Sequence, residues 1–239
     1  MLDEKNIRLD EINENLKLYQ IKDGLLFGTD ALQLADFICA EHMGIYNNAV
    51  ELGTGSGVMS LLLAYRRKIN LIYAVEIQAI YTELALLNTA VNGLSDKIKI
   101  INGDLKTPNE LYFDSAESGT KTRVLPHSVD MVFTNPPYIK NNGGVLSDKD
   151  YKNIARRETH CTIDDVLCAS ARLLKNGGDF YCVYRTDRLQ SLFSAMTKYN
   201  ITPKKAVFIY GGQSNKASLV LIKGKQNANE GIVIENLFV

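Results

Sequence analysis

The segment Glu51-Leu52-Gly53-Thr54-Gly55-Ser56-Gly57 constrains the fold of this chain more than any other. It follows a short apolar run, Ala49–Leu52. It opens a stretch from Ser56 to Arg67 in which Val58, Leu61, Leu62 and Tyr65 recur at helical spacing. Three glycines in five positions let a backbone turn sharply and approach a ligand with no Cβ in the way. The N–H groups that begin the following helix are suited to a carboxylate or a phosphate. A strand that enters a helix through such a turn belongs to an α/β sheet. The glycine pattern alone does not choose a ligand, because dinucleotide-binding enzymes share it.

The rest of the chain continues the alternation. Leu71–Val75, Ile98–Ile101, Val129–Phe133 and Phe180–Tyr184 read as strands. Gln78–Val91 reads as a helix closed by Asn92-Gly93, Ile163–Leu174 as one closed by Asn176-Gly177-Gly178, and Asp187–Tyr199 as a third. Ala206–Tyr210 and Ser218–Ile222 form a closing antiparallel pair. Upstream, Leu16–Ile21 and Leu25–Phe27 read as a hairpin turning at Asp23-Gly24. A helix from Asp30 to about Ala40 follows, with Thr29 as its N-cap. The stretch 104–128, with Pro108, Gly119 and Pro126, reads as an irregular insertion, and Asn141–Lys149 as a polar loop. Such alternation predicts a parallel sheet with helices on both faces. No repeat or linker divides the chain, so a single domain over 1–239 is expected, with 1–47 closing the pocket and 48–225 as the core. Ligands bind beyond the carboxyl ends of such strands, which points to Glu51–Gly57, Glu76, Asp104 and Asn135–Tyr138.

Composition narrows the function classes. A chain of 239 residues, 46% apolar and 23% charged, is not disordered or collagen-like. No apolar run approaches the length of a membrane span, and the charged start MLDEKNIRLD is no signal peptide. Cys39, Cys161, Cys168 and Cys182 form no CxxC, and His42, His127 and His160 form no HxxxH. The expectation is no metal, no membrane and a reducing, cytoplasmic setting. The net charge is zero, but residues 139–225 carry 15 basic against 7 acidic residues while the remainder carries 12 against 20. That split suits either one basic face or a solvated surface with local pairing.

Two acids sharpen the glycine loop. Glu76 ends the next strand, 23 residues after Gly53, where a carboxylate accepts both hydroxyls of a ribose and repels a 2′-phosphate. Asp104 ends the third strand, where a carboxylate accepts from an adenine amino group. With Glu51 beside the turn, this three-site spacing resembles the S-adenosylmethionine pocket of class I methyltransferases.

The fourth strand runs through Thr134 into Asn135-Pro136-Pro137-Tyr138. Two consecutive prolines fix two φ angles and remove two donors, and a proline biases the residue before it toward extended backbone. The exit is stiff and holds amide and carbonyl oxygens outward, with the tyrosine ring as a stacking face. Such acceptors suit a planar NH₂ group. Accepting both its hydrogens, at Asn135 Oδ1 and the Pro136 carbonyl, localises the nitrogen lone pair and stabilises the positive charge that develops as it attacks a methyl group.

Asn135-Pro136-Pro137-Tyr138 is similar to motif IV of methyltransferases that modify exocyclic amines or amide nitrogens. With Phe27-Gly28-Thr29-Asp30-Ala31, the glycine loop, Val75-Glu76-Ile77-Gln78 and Ala155-Arg156-Arg157-Glu158, followed by Cys161-Thr162-Ile163-Asp164-Asp165, the chain resembles the tRNA adenine-N6 methyltransferases that act on adenine 37 beside the anticodon. The resemblance runs from about residue 16 to 223. The 105–127 stretch is longer than expected for that family, and Arg157 stands where a histidine is expected. The resemblance implies an α/β, Rossmann-like class I methyltransferase fold, with a seven-stranded, mostly parallel sheet containing one antiparallel strand. It implies S-adenosylmethionine as cofactor, held by Phe27, Gly28, Thr29, Asp30, Glu51, Gly53, Gly55, Gly57, Glu76, Ile77, Asp104, Leu105 and Asn135. It implies Asn135, Pro136, Pro137 and Tyr138 at the target base, and Lys140, Arg156 and Arg157 on the RNA. Lys204 and Lys205 fit either RNA or a solvated edge.

Other acceptors remain open. Glutamine N5-methylation of a protein, as by release-factor methyltransferases, uses the same motif, but those enzymes carry a helical N-terminal domain and only about 48 residues precede the glycine loop here. Guanine-N2 methylation of ribosomal RNA usually comes with a further module. A non-catalytic scaffold has no need of both motifs, and a nicotinamide-dependent dehydrogenase leaves Asn-Pro-Pro-Tyr without a task.

Overall fold

A computed structural model describes residues 2, 4–13, 15–22, 24, 28–114, 121–136, 161–212 and 215–239. Among the described residues, eight strands form the central sheet. In chain order they are β3 (Tyr46–Leu52), β4 (Ile69–Glu76), β5 (Ile98–Asn102), β8 (Val129–Thr134), β9 (Leu174–Arg185), β10 (Ile201–Tyr210), β11 (Leu219–Gln226) and β12 (Val233–Phe238). Their spatial order is β12-β10-β11-β9-β8-β3-β4-β5. Only β11 runs against its neighbours, pairing antiparallel with both β9 and β10. The chain leaves β3 toward β4 and β5, then returns to build the other half from β8. The switch point therefore lies between β3 and β8, where ligand crevices form in sheets of this kind.

The central strands read as unbroken apolar runs because both faces are covered. Ala49, Met131, Phe133, Tyr181 and Val183 point to one side, against α1 (Thr29–Glu41) and α2 (Val58–Tyr65). Val50, Leu52, Val132, Phe180 and Cys182 point to the other, against α4 (Ile163–Leu173) and α5 (Leu189–Lys198). Each buried valine, leucine, methionine or phenylalanine among them contributes on the order of 1.5–3 kcal/mol. The α4 start is set by a reciprocal cap. Thr162 Oγ1 accepts from the Asp165 N–H at 3.2 Å, and Asp165 Oδ2 accepts from the Thr162 N–H at 2.8 Å.

Several sequence expectations are corrected. The sheet has eight strands, because β12 adds to β10 in parallel beyond the expected boundary at 225. The N-terminal hairpin pairs β1 (Ile7–Asn13) with β2 (Leu16–Ile21), one strand earlier than expected; Asp23 and 25–27 lie outside the described residues. The charged strand β1 escapes notice because it buries little, with Leu9 45% exposed. Gly28, not Thr29, occupies the N-cap of α1, so the cap position itself has no side chain to offer. Asn176-Gly177-Gly178 lies within β9 rather than between helix and strand, with Gly177 at φ +74°. The described part of the 104–128 stretch holds regular elements, a 3₁₀ turn at Pro108–Glu110 and a small hairpin of β6 (Tyr112–Asp114) with β7 (Lys121–Arg123). It is anchored by Leu111 and Val124, both buried, and by Phe113 against Tyr73 at 5.1 Å between ring centres.

The hairpin docks on α3 (Ala79–Val91) through two asparagines one helical turn apart. Asn88 Oδ1 accepts from the Tyr19 N–H at 2.7 Å and its Nδ2 donates to the Tyr19 carbonyl at 2.9 Å. Asn92, just past the helix end, repeats the exchange with Lys17, at 3.0 and 2.7 Å. The side chains stand in for a neighbouring strand and pair the open edge of β2. Asn88 Nδ2 also donates to the Ser56 carbonyl at 2.8 Å, joining hairpin, helix and glycine loop. Asn88 is fully buried, so its loss strands several polar groups. Asn88→Ala is expected to cost about 2–4 kcal/mol in urea unfolding, at the upper end for a polar truncation. A change under about 0.5 kcal/mol, the size of an ordinary surface effect, would contradict this account.

Candidate active site

Four strand exits lie side by side at the carboxyl edge. Leu52 of β3 is in register with Thr134 of β8 and with Val75 of β4, and Glu76 is in register with Asn102 of β5. Gly53, Asn135, Glu76 and Gly103 therefore leave the sheet in one row, with neighbouring strands about 4.8 Å apart. Thr134 Oγ1 donates to the Leu52 carbonyl at 2.8 Å and ties the exits on the two sides of the switch point.

The glycine loop divides its labour. Gly53 and Gly55 have φ of +75° and +55°, and a Cβ on either would meet nothing within 4 Å among the described residues. Those two positions keep the floor above the strand ends clear and need the left-handed backbone. Gly57, at φ +84°, is the N-cap of α2, and its would-be Cβ faces Ala85 of α3 at 3.5 Å. That contact is an ordinary van der Waals one, so it is the left-handed backbone that favours glycine at this helix start. The Gly53 and Thr54 N–H groups both donate to the Val75 carbonyl at 2.9 Å, pinning the loop to β4.

The acids take distinct places. Glu51 is 2% exposed beneath the loop, where its Oε2 accepts from the Thr54 hydroxyl at 2.7 Å and from the Ser60 hydroxyl. It braces the loop from below. Burial pushes its carboxyl up to about 7; the Ser60 and Thr54 hydrogen bonds pull against that rise, and the nearby Glu76 charge adds to it. Glu76, 6% exposed, accepts from the Gly55 N–H and the Gln78 N–H through its two oxygens, each at 2.9 Å. Burial raises its carboxyl as well, opposed by those backbone donors. Asp104 Oδ1 accepts from the Lys106 N–H at 2.9 Å, which shapes the turn after β5, with Leu105 half-buried against the second core. Ile77 is 40% exposed beside Glu76.

Asn135 and Pro136 close the row. Pro136 is buried and Asn135 half-buried. Asn135 Nδ2 donates to Asp30 Oδ2 at 3.0 Å, which brings the first turn of α1 to the exit of β8 across 105 residues. Phe27, Pro137, Tyr138, Lys140, Arg156 and Arg157 lie outside the described residues. Gly28 and Thr29 precede Asp30 and are exposed. Lys205 is held between Glu41 and Glu235, each at 2.8 Å, at the end of α1 remote from Asp30 and roughly 16 Å along the helix. Its charge is committed to the protein. Sequence reasoning misses Thr54 and Ser60 as partners of Glu51. It also misses Asn102, whose Nδ2 donates to the Glu76 and Ile77 carbonyls at 3.0 and 3.2 Å. Lone polar residues at strand ends give no periodic signal.

No protein-family model matches the chain. It is 25% identical over 179 residues to the tRNA1(Val) (adenine(37)-N6)-methyltransferase of Porphyromonas gingivalis, covering 74% of this chain and 66% of that protein, just under two thirds of it. It is 26% identical over 219 residues to the protein of the same name from Phocaeicola vulgatus, covering 90% of this chain and 83% of that one. Among solved structures, a predicted O-methyltransferase from Agrobacterium tumefaciens superposes with a TM-score of 0.63 at 15% identity, over 88% of this chain and 86% of the other. The fold is that of a Rossmann-like methyltransferase. In this methyltransferase fold the antiparallel strand is β11, in keeping with the closing pair read from the sequence. Among the described residues, no helix is long and apolar enough to cross a membrane.

The buried Glu51 carboxyl makes stability pH-dependent in a definite direction. Below about pH 4.5 it is protonated in both folded and unfolded chains and costs nothing; from there to about 7 the unfolded chain releases the proton first, so stability falls as pH rises. Glu51→Gln removes the charge and keeps an acceptor. Its melting temperature relative to the parent is expected to be higher at about pH 8.5 than at about pH 5, by an amount on the order of 1–3 kcal/mol in stability. A difference that stays flat across that range would place the carboxyl in the ordinary range.

Proposed function

We propose that this chain transfers a methyl group from S-adenosylmethionine to the N6 amino group of an adenine in tRNA, at position 37 of the anticodon loop. The single observation that carries the reading is the meeting of Asn135 with the glycine loop at one switch point, where Leu52 and Thr134 are in register. The relatives named for this reaction match the chain over most of its length.

The residues fit the cofactor. Gly53 and Gly55 put no side chain of their own above the loop, and a Cβ there would meet no described residue within 4 Å. Glu76 has lone pairs beyond the two backbone bonds it accepts, which suits ribose hydroxyls. Ile77 offers an apolar face and Asp104 an acceptor for the adenine ring. Bound there, the cofactor supplies an electrophilic methyl group on a sulfonium.

The protein's part is positioning and electrostatics. Asn135 Oδ1 and the Pro136 carbonyl accept the two hydrogens of the target amine. That draws electron density onto the nitrogen and favours its pyramidal form. As the nitrogen lone pair takes up the methyl group, displacing a neutral thioether that keeps the electrons of the broken carbon–sulfur bond, the positive charge it gains meets oxygens already oriented toward it. The amine then loses a proton to water, so no strong base is needed. Tyr138 stacks on the base, which leaves the anticodon loop to reach the pocket. Lys140, Arg156 and Arg157 follow the motif closely in sequence and suit phosphates of the anticodon arm.

Labelled S-adenosylmethionine and unmodified tRNA are expected to yield N6-methyladenosine in the digested RNA by mass spectrometry. N2-methylguanosine, or label in a protein acceptor alone, would redirect the assignment. Asn135→Ala is expected to lower turnover by about 100-fold or more even at saturating cofactor, while calorimetry still detects cofactor binding. Glu76→Ala is expected to act at the binding step instead, weakening cofactor affinity by about tenfold or more.

A further inference from the structure

We propose that Asp30 is a positioning residue for Asn135, whose carboxylate decides which end of the Asn135 amide faces the target amine. The inference rests on the methyl-transfer reading above and adds a residue to it.

A primary amide has two ends of nearly equal shape and opposite polarity. Only the oxygen end can accept hydrogens from an NH₂ group. With the amide turned over, donor faces donor and the site loses its function. The proline-locked backbone fixes where the Asn135 side chain starts but not which way its last torsion points, because that torsion is broad. Something outside the motif must choose.

Asp30 is built to make that choice. A carboxylate accepts and cannot donate, so the contact at 3.0 Å to Asp30 Oδ2 assigns the near atom of Asn135 as Nδ2 and leaves Oδ1 as the acceptor end. The opposite orientation would set an amide oxygen against a carboxylate oxygen. Asp30 is itself held, because its Oδ1 accepts from the Ala31 N–H at 3.0 Å. It lies in the first turn of α1, where the helix dipole favours negative charge. The bond is charge-assisted, hence stronger than one between neutral groups. The same contact accounts for an asparagine rather than an aspartate at 135, since two carboxylates at this separation would repel.

The donor and acceptor can be exchanged. Asn135→Asp alone places two carboxylates together and is expected to be nearly inactive near neutral pH. The double variant D30N/N135D moves the amide to α1 and the carboxylate to the strand exit. The amide now on α1 can accept from the Ala31 N–H through its oxygen and donate through its nitrogen across the same gap. The carboxylate at the strand exit takes that hydrogen bond and again presents an oxygen to the amine. The kcat of D30N/N135D is expected to exceed that of Asn135→Asp by about tenfold or more. Asp30→Ala is expected to lower kcat by about 10–100-fold at saturating S-adenosylmethionine, with KM for tRNA within about threefold of the parent; the saturating cofactor removes any part that Asp30 has in holding it. A merely structural role would give no reciprocal rescue. A double variant no better than Asn135→Asp, or Asp30→Ala with parental kcat, would overturn the proposal. So would a loss in Asp30→Ala that saturating S-adenosylmethionine restores.

A readout independent of turnover separates this from the functional reading. The Asn135 side-chain NH₂, identified in nitrogen-15 spectra by its absence in Asn135→Ala, is expected to exchange with water about tenfold or more slower in the parent than in Asp30→Ala. Equal exchange in the two overturns the placement even if tRNA is methylated. Slow exchange in a parent that methylates no tRNA keeps the placement and sinks the substrate assignment instead.

Discussion

The hydroxyl of Thr134 donates to the carbonyl of Leu52, and this bond holds two parallel strand exits level where the order of the strands along the chain reverses. Everything the site does depends on that alignment. The exit of β3 turns into the glycine loop and the exit of β8 into Asn135-Pro136. A shift of one residue between β3 and β8 would turn alternate side chains to the wrong face. It would bury Asn135 or carry it away from the loop. Apolar side chains on both faces of β3, β8 and β9 enforce the register, and the polar bond at the end of the ladder fixes its last step.

Around that alignment the protein places polar groups where an apolar core cannot supply direction. Glu51 sits under the loop although burial penalises its charge, because a carboxylate oxygen can receive the hydroxyls of Thr54 and Ser60 together. Asn102 laces the exit of β4 by donating to successive carbonyls. Asp30 reaches from α1 to Asn135 and couples the N-terminal helix to the fourth strand exit. Each is a directional contact made by a group that is costly to bury unpaired, which concentrates rigidity at the strand ends.

What the sequence discloses and conceals follows from range and burial. Strands covered on both faces, such as Ala49–Leu52 and Val129–Phe133, stand out as apolar runs, and the glycine loop and the proline pair announce themselves locally. The hairpin reads one strand late because β1 is charged and lies at the edge, where alternation fades. The strand β12 goes unread for a related reason. All of its residues are exposed, so it does not look like a piece of core. Asp30 is legible as part of a family-like segment, but its partner is not, because 105 residues separate it from Asn135. Asn88 gives no signal at all, since an asparagine within a helix is usually a solvated residue.

The asparagine pair on α3 has a consequence for how freely the N-terminal hairpin can vary. Asn88 and Asn92 grip the main chain at Tyr19 and Lys17, not their side chains. The peptide groups they hold are the same for nearly every amino acid, so the grip is indifferent to what those two positions display. Only proline, which has no N–H to give, is barred by it. The hairpin can therefore change its outward character, from basic to acidic or aromatic, without losing its berth beside the helix.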